Sequence, residues 1–255
     1  MMHNIDNAGQ ALDEFLYLGG IALSSGGSWF IWINEDAASP GFVQAVADAE
    51  YAANWAVDRK PALGRTRSAN RTAVLVSETE WALVGNLTLL YPYADTIKAT
   101  ALSLQDQGFL VDVVNEETLT TNSDLYSRVF IPDAPSGAPR LPAAIDQVLL
   151  DMQQNGATIV HQAPPAPTGY TPDVEELANA AGQIYMLRQR EGDPLPNETI
   201  FHMTDLSGLD RTGMQVRFPL TFEPTMIQAY PSTVPISTSW SDGLMTLTTL
   251  ADYAA

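Results

Sequence analysis

The sequence predicts an α/β protein whose central part is a parallel sheet with helices on both faces. From Thr72 onward, short apolar runs alternate with amphipathic stretches, and the connections between them are short. This pattern favours parallel strands linked by helices. After residue 193, short β-rich runs follow one another with turn residues between them, which predicts a small antiparallel module.

The first sixty residues predict a helix, a strand and a helix. Apolar residues at helical spacing predict the first helix over Ala8–Leu23. The run Ser28–Asn34 is aromatic and β-branched without alternation, which is typical of a strand buried on both faces. Phe42–Val57 is amphipathic and predicts the second helix. Because one strand cannot form a sheet, we expect its parallel neighbours to lie outside these sixty residues, in the next domain or in a longer protein.

Four strands and three helices are predicted for residues 72–192. The strands are Thr72–Ser77, Phe109–Val114, Tyr126–Pro132 and Ala157–His161. The helices are Tyr93–Gln107, closed by Gly108, Ala143–Asn155, closed by Gly156, and Val174–Leu187.

Residues 193–255 predict five strands and one tight hairpin. The strands are Thr199–Thr204, Met214–Leu220, Thr225–Tyr230, Ile236–Trp240 and Leu244–Leu250. The sequence Ser241-Asp242-Gly243 is the hairpin signal. Residues 61–71, rich in arginine, predict a linker, and a basic patch for an anionic ligand is the alternative interpretation.

Composition excludes several classes of function. The chain has 12 Lys and Arg against 30 Asp and Glu, a net charge of −18, which excludes binding to nucleic acid through its phosphates. It has no cysteine, so disulfides, thiolate catalysis and sulfur-based metal sites are excluded. Three scattered histidines do not suggest a metal site. An acidic, lysine-poor surface is typical of proteins in concentrated salt, although an ordinary acidic surface explains it too.

Residues 15–33 carry no charge over nineteen positions, a length that could span a bilayer. Seven of them are Gly or Ser and no basic residue flanks them, so neither a membrane span nor a signal peptide is predicted. A cytoplasmic location is slightly favoured.

Motifs for cofactors and nucleophiles are missing from the sheet region. The first predicted strand leads into SETEWALVGNL, which lacks G-x-G-x-x-G and Walker patterns, and no G-x-S-x-G occurs. We therefore predict no cofactor and no catalytic residue there. Paired acids occur at Glu78 with Glu80, Glu116-Glu117 and Glu175-Glu176, and we interpret them as solvated surface.

One acidic pair has a stronger claim. Glu35-Asp36 follows the aromatic residues Trp29, Phe30 and Trp32 at the carboxyl end of a predicted strand. In a parallel β/α barrel that end faces the active site, and aromatic rings there can pack on sugar C–H groups. Core aromatics followed by a solvated turn remain the alternative.

The order of segments resembles glycoside hydrolases similar to the family 42 beta-galactosidases. SWFIWINED and the helix after it look like the end of the β/α barrel in such enzymes. RTAVLVSETEWALVGN, DTIKATALSLQDQGFLVDVV and YSRVFIPDAP resemble their amidotransferase-like, or trimerisation, domain. TIFHMTDLSG and ISTSWSDGLMTLTTLADYA look like their small C-terminal β domain.

This resemblance implies four parts: a barrel remnant over 1–60, a linker over 61–71, a flavodoxin-like, class I amidotransferase-like domain over 72–192, and a β domain over 193–255. Both catalytic carboxylates of such enzymes lie on barrel strands that this sequence lacks. The resemblance carries over only a sugar-facing role for Trp32, Asn34 and Glu35. We therefore expect a non-catalytic C-terminal portion of a glycoside hydrolase, with a middle domain for packing or homo-oligomer formation and carbohydrate as partner of a complete barrel.

A small-molecule binding module is the rival interpretation. Ser77, Glu78, Asp133 and His161 would lie at the carboxyl edge of the central sheet. Doubly wound sheets bind ligands, here a sugar or nucleotide, at that edge.

Overall fold

A computed structural model describes residues 2–5, 30–33, 40–63, 66–83, 87–162, 169–190, 198–205, 209–229 and 234–252. The helices there are α1 (Pro40–Leu63), α2 (Glu78–Leu83), α3 (Leu87–Asp106), α4 (Glu116–Thr121) and α5 (Ala143–Gln154). The first seven strands are β1 (Met2–Ile5), β2 (Phe30–Ile33), β3 (Thr66–Ser68), β4 (Thr72–Leu75), β5 (Val111–Val114), β6 (Arg128–Pro132) and β7 (Thr158–Gln162). The others are β8 (Glu175–Ala178), β9 (Gln183–Arg190), β10 (Thr199–Asp205), β11 (Gln215–Pro219), β12 (Ile236–Ser241) and β13 (Leu244–Thr249).

A parallel four-stranded sheet forms the centre of the described chain, and its strand order is β5-β4-β6-β7. Alternate residues of the strands feed two cores. On one face, Val74 and Phe130 pack with Tyr93 and Leu104 of α3. On the other face, buried side chains of β4 and β6 pack with those of α4 and α5. The four strands predicted for residues 72–162 and the two helices between them are confirmed.

The N-terminal strand has a partner that the sequence analysis did not predict. Within the predicted strand Ser28–Asn34, Phe30–Ile33 form β2, and β2 pairs in parallel with β1. The expectation that all neighbours of this strand lie outside the first sixty residues is therefore wrong. The sequence analysis missed β1 because a segment of four residues is too short to show a hydrophobic pattern. The predicted helix Phe42–Val57 is confirmed within α1, whereas Ala8–Leu23 lies outside the described residues.

The predicted helix Val174–Leu187 is wrong. Its residues form β8, a turn and most of β9. In the turn, Asn179 has φ 51° and Gly182 has φ 81°, left-handed conformations that a helix cannot contain. One hydrophobic core buries Val174 before β8, Ala180 in the turn, and Tyr185 and Leu187 of β9, whereas most residues of β8 are exposed.

The strands after residue 174, together with β3, form two antiparallel sheets. One has the order β10-β9-β3 and the other the order β12-β13-β11-β8. The hairpin at Asp242-Gly243 is confirmed, with Ser241 and Leu244 paired across it. The strand predicted over Thr225–Tyr230 is wrong for its described residues 225–229, which form irregular chain.

The two antiparallel sheets cross the predicted boundaries. Thr66–Ser68, in the predicted linker, form β3 and pair with β9. β8 and β9 precede residue 192 in sequence yet pair with β11 and β10. The chain therefore enters an antiparallel sheet, builds the parallel sheet and then returns to the antiparallel part.

A buried asparagine joins the parallel sheet to β9. Asn70 is 1% exposed, and its Nδ2 donates to the Val111 carbonyl at 3.2 Å and to Asp112 Oδ1 at 2.8 Å. Its Oδ1 accepts the Leu187 N–H at 2.9 Å. The Tyr126 hydroxyl donates to Asp112 Oδ2 at 3.1 Å. Each polar atom of the Asn70 amide thus has a partner in one of the two sheets.

An aspartate holds the amino ends of the parallel strands together. Asp173 pairs with the Arg128 guanidinium at 2.7 Å and accepts the Leu110 N–H at 3.0 Å. The Thr72 hydroxyl lies 3.3 Å from Asp173 Oδ2. These contacts place Asp173, which follows the parallel sheet in sequence, beside Thr72, the first residue of β4.

Candidate functional site

The carboxyl edge of the parallel sheet carries the four residues of the rival interpretation. Ser77 follows β4, Glu78 begins α2, Asp133 follows β6, and His161 lies in β7. Ser77 is buried, Asp133 is half-buried, and Glu78 and His161 are exposed. Among the described residues, no hydrogen bond or ion pair joins Asp133 or His161 to Ser77 or Glu78. The structure therefore brings these residues to one edge without linking them into one group.

Ser77 is fully engaged by its own chain. Its hydroxyl donates to the Arg140 carbonyl and accepts the Glu80 N–H at 2.9 Å. Its backbone N–H donates to the Tyr93 hydroxyl oxygen at 3.0 Å. Because Ser77 is 0% exposed, its hydroxyl serves as a structural hydrogen-bonding group and cannot reach a substrate in this conformation.

The N-terminus of α2 is occupied by a carboxylate of the protein itself. Glu116 Oε2 accepts the Glu78 N–H at 2.9 Å, and Oε1 accepts the Thr79 N–H at 3.4 Å. Glu78 Oε1 in turn accepts the Asn115 side-chain amide at 2.8 Å. Asn115 also caps α4 by accepting the Thr118 N–H at 2.8 Å. The turn after β5 is thereby tied to the turn after β4.

A second buried carboxylate ties the β4 turn to the loop after β6. Glu80 is 3% exposed, and its Oε2 accepts the Arg140 N–H at 3.2 Å and lies 3.7 Å from Arg140 Nε. Glu80 Oε1 accepts the Ser136 hydroxyl at 3.3 Å. Together with the Ser77 hydroxyl, Glu80 fastens this loop over the end of β4.

The buried phenol beneath these carboxylates stays neutral. Burial raises the pKa of Tyr93, and the charges of Glu80 and Glu116 raise it further, against a lowering by the hydrogen bond from Ser77. Trp81, which is 41% exposed, has its ring centroid 6.2 Å from that of Tyr93.

Glu80 and Glu116 are buried, whereas the sequence analysis interprets both as solvated surface. Glu116 is 7% exposed, whereas its neighbour Glu117 is exposed. A signal for Glu80 exists in the capping-box pattern Ser77-x-x-Glu80. Here Glu80 reaches to Arg140 and not back to Ser77, because Tyr93 already bonds the Ser77 N–H. No local signal marks Glu116, since its partners lie 37 and 38 residues away in sequence.

The predicted sugar-facing residues are not tested by the structure. Trp32 lies in β2, where its backbone is in register with Asn4. Asn34 and Glu35 lie outside the described residues, as does Asp36. Their role in contacting sugar stays a prediction.

The described residues contain neither a cluster of metal ligands nor a membrane-spanning helix. No group of three or more His, Asp or Glu side chains there could hold a metal ion. None of the described helices is long and apolar enough to cross a membrane.

Comparison with known proteins supports one coarse assignment. No protein-family model matches the chain, and no curated protein matches it in sequence. Among solved structures, the alpha-L-fucosidase isoenzyme 2 from Paenibacillus thiaminolyticus is similar, with a TM-score of 0.60 and 11% sequence identity. The likeness covers 94% of this chain and 56% of the fucosidase chain. At this identity the likeness concerns the fold alone, and the mixed α/β fold with parallel and antiparallel sheets resembles that of part of a glycoside hydrolase.

Proposed function

We propose that this chain is the non-catalytic C-terminal portion of a glycoside hydrolase resembling the family 42 beta-galactosidases. Its segment 72–162 would be a flavodoxin-like, amidotransferase-like unit that serves packing or oligomer formation. Two observations support this proposal. The fold is similar to that of a fucosidase over 94% of the chain, and the parallel strands, counted from Thr72, have the order 2-1-3-4 typical of flavodoxin-like sheets.

The Glu116 carboxylate at the N-terminus of α2 is the main observation that supports a structural role for this edge. Doubly wound sheets bind ligands at the carboxyl ends of their strands, where the strand order reverses, which here is between β4 and β6. At that point Glu80 and Ser77 fasten the β6 loop, and Glu116 takes the free N–H groups of Glu78 and Thr79. An anionic ligand would have to displace these contacts and would meet two carboxylates. The edge therefore favours a role in structure over a role in binding.

Ligand screening of the purified chain tests this part. We expect no saturable rise in thermal midpoint with galactose, fucose, AMP or FMN, and no turnover of a chromogenic galactoside or fucoside. A saturable rise that disappears in Glu78→Ala or Asp133→Ala would contradict the structural role. Turnover by the chain alone would contradict the non-catalytic assignment.

Deletion in a longer hydrolase that contains this segment tests the packing role. Removing residues 72–162 should lower the oligomer mass or the thermal midpoint, while the remaining enzyme keeps its bond-cleaving chemistry. An unchanged oligomer mass together with an unchanged thermal midpoint would refute the packing role.

Trp81 favours a second candidate, a sugar-binding module at the same edge. Its indole is 41% exposed one helical turn from Glu78, so a flat apolar face lies near a carboxylate. This candidate predicts that galactose or fucose perturbs the Trp81 indole N–H signal in an NMR titration. It also predicts that Trp81→Ala abolishes the sugar-dependent thermal shift, whereas the structural role predicts no shift to abolish.

A further inference from the structure

Among the described residues, one edge of the parallel sheet has backbone hydrogen-bonding groups without a strand partner. Among the described strands, β7 pairs with β6 alone. The Thr158 N–H donates to the Ser127 carbonyl at 2.9 Å, so Thr158 directs its backbone groups toward β6. Since successive residues of a parallel strand direct these groups to opposite sides, Ile159 and His161 direct theirs away from the sheet.

Two other sheet edges carry features that limit pairing. On β5, the Asn70 side chain bonds the Val111 carbonyl, which faces away from β4. β8 carries Glu175 and Glu176, whose charges oppose pairing with an identical strand. β7, with the sequence TIVHQ, has no Asp, Glu, Lys, Arg or Pro, and neither has the edge strand β12, with the sequence ISTSWS. Natural sheets rarely leave such a strand as an open edge.

Apolar side chains lie on one face of β6 and β7. Val160 is in register with Phe130, so both side chains lie on the same face of the sheet. The Tyr170 ring packs edge-on against Phe130 with centroids 5.6 Å apart. Val160 is half-buried and therefore offers part of its side chain to a strand that pairs with β7.

We propose that the edge of β7 pairs with β7 of a second copy of this chain, antiparallel and about a two-fold axis through Val160. In this register Ile159 of one copy lies opposite His161 of the other, and the two residues exchange both backbone hydrogen bonds. The axis repeats the pair, so every outward backbone group of Ile159 and His161 gains a partner. A two-fold interface uses the same patch twice, and this uncharged strand is complementary to itself.

Charge and size set the strength of this pairing. Each copy carries a net charge of −18, so two copies repel at long range while the strands that touch are neutral. A contact of five residues from each copy is small for a protein interface. The dimer should therefore form in the micromolar range and tighten with added salt, which screens the repulsion.

Sedimentation velocity of the full chain tests the pairing. At about 100 μM and 0.5 M KCl, wild type should sediment at about twice the monomer mass of 27.6 kDa. His161→Pro removes the outward N–H, for which the described residues provide no acceptor, and proline is tolerated at such edge positions. We expect His161→Pro to weaken the dimer at least about tenfold, because the dimer loses two hydrogen bonds, one from each copy. His161→Ala, which keeps the N–H, should dimerise like wild type.

Disulfide trapping tests the register. Because the chain has no cysteine, Val160→Cys has one thiol, which can form a disulfide only with another molecule. Residues opposite each other on the two-fold axis have Cβ atoms close enough for such a bond. Oxidised glutathione should therefore convert Val160→Cys largely to covalent dimer. Thr158→Cys, more exposed on the same strand but opposite Gln162 of the second copy, should form little.

Three results would overturn the proposal. The first is a wild-type chain that stays monomeric in the sedimentation experiment, and the second is a dimer that His161→Pro leaves unchanged. The third is equal trapping of Thr158→Cys and Val160→Cys. Circular dichroism of each variant separates a lost interface from a lost fold.

Discussion

At the scale of single residues, Gly108 and Gly156 end two helices in the same way but in different surroundings. Both have positive φ, 83° and 94° respectively. A Cβ atom at Gly108 would lie 2.5 Å from the Val174 carbonyl oxygen, whereas one at Gly156 would have no atom within 4 Å. A substitution at Gly156 therefore introduces backbone strain alone, whereas one at Gly108 adds a steric clash.

We expect Gly156→Ala to lower the free energy of unfolding by about 1 kcal/mol, the cost of positive φ for a residue with a Cβ. Gly108→Ala should lower it by about 3 kcal/mol, because the backbone at Val174 must also move. Urea denaturation of both variants measures the difference. Equal losses would mean that the contact between Gly108 and Val174 is absent in solution.

Asn70→Ala should lower the free energy of unfolding by about 3 kcal/mol or more, because it leaves the buried Val111 carbonyl and Leu187 N–H without their partner. Hydrogen exchange of the Leu187 amide should accelerate in the same variant. Asn122→Ala is the control, since its side chain bonds the Thr118 carbonyl at an exposed position, and we expect a loss below about 0.5 kcal/mol. A comparable loss in both variants would refute a joint at Asn70.

Asp112 should make stability depend on pH. Burial raises the pKa of its carboxyl, although hydrogen bonds from Ser68, Asn70 and Tyr126 and the charge of Arg188 lower it. A raised pKa in the folded state means that the folded chain binds this proton more tightly than the unfolded chain. The resulting cost begins as the pH rises above the unfolded value of about 4, is complete above the folded pKa and remains at neutral pH.

The variant Asp112→Asn removes this charge and keeps an acceptor for Asn70. Its stability relative to wild type should therefore improve as the pH rises from about 4 to 7. Chemical denaturation at several pH values measures the change. A difference that stays constant over this range would contradict a raised pKa at Asp112.

At the scale of elements, α2 is held by side chains distant in sequence. It has six residues and exposes Glu78, Trp81 and Ala82, so its own packing is slight. Glu116 supplies acceptors for its first two N–H groups, and Glu80 fixes it to the loop after β6. We infer that α2 depends on these carboxylates for its position.

Glu116→Gln should speed hydrogen exchange of the Glu78 and Thr79 amides and lower stability by about 1–2 kcal/mol, because the amide offers one acceptor oxygen in place of two. Glu117→Gln, one residue later and exposed, removes the same charge without touching α2. Its amide exchange should match that of wild type. Similar exchange in both variants would show that Glu116 does not hold α2.

Elements with strong local patterns could be predicted, and elements defined by distant partners could not. The strands of the parallel sheet are short apolar runs, and the hairpin at Asp242-Gly243 carries its own turn signal. In contrast, β8 and β9 lie in a segment, Val174–Leu187, that the sequence analysis interprets as one helix. Their strand character depends on β11 and β10, which follow later in the chain.

The candidate site shows the same limit. The sequence predicts correctly that Ser77 and Glu78 stand at the end of a strand. It does not reveal that Ser77 is closed off, because Arg140, Tyr93 and Glu116 approach from distant segments. Burial of a carboxylate is a property of these long-range contacts, and a chain with 30 acids gives no composition signal for it.

At the scale of the whole molecule, net charge should govern stability. The chain has a net charge of −18 at pH 7 and a sequence pI near 4.2, so its negative side chains repel one another in the folded state. Raising KCl from about 0.1 to 2 M shortens the screening length several-fold and should raise the thermal midpoint at pH 7 by several degrees. At a pH near the pI, where the net charge vanishes, the same salt should have little effect. An equal rise of the thermal midpoint at both pH values would mean that salt strengthens hydrophobic burial and does not act by screening charge.

The path of the chain through its sheets has a consequence for how such a molecule could change over evolution. Thr72 and Asp173 touch at 3.3 Å, so the parallel sheet begins and finishes at one point beside the pairing of β3 with β9. Segments whose ends meet are the ones that can be inserted into a host chain or removed from it with the host pairing intact. We therefore expect relatives that keep the antiparallel sheets but lack the parallel one, their chain passing directly from the β3 position toward β8.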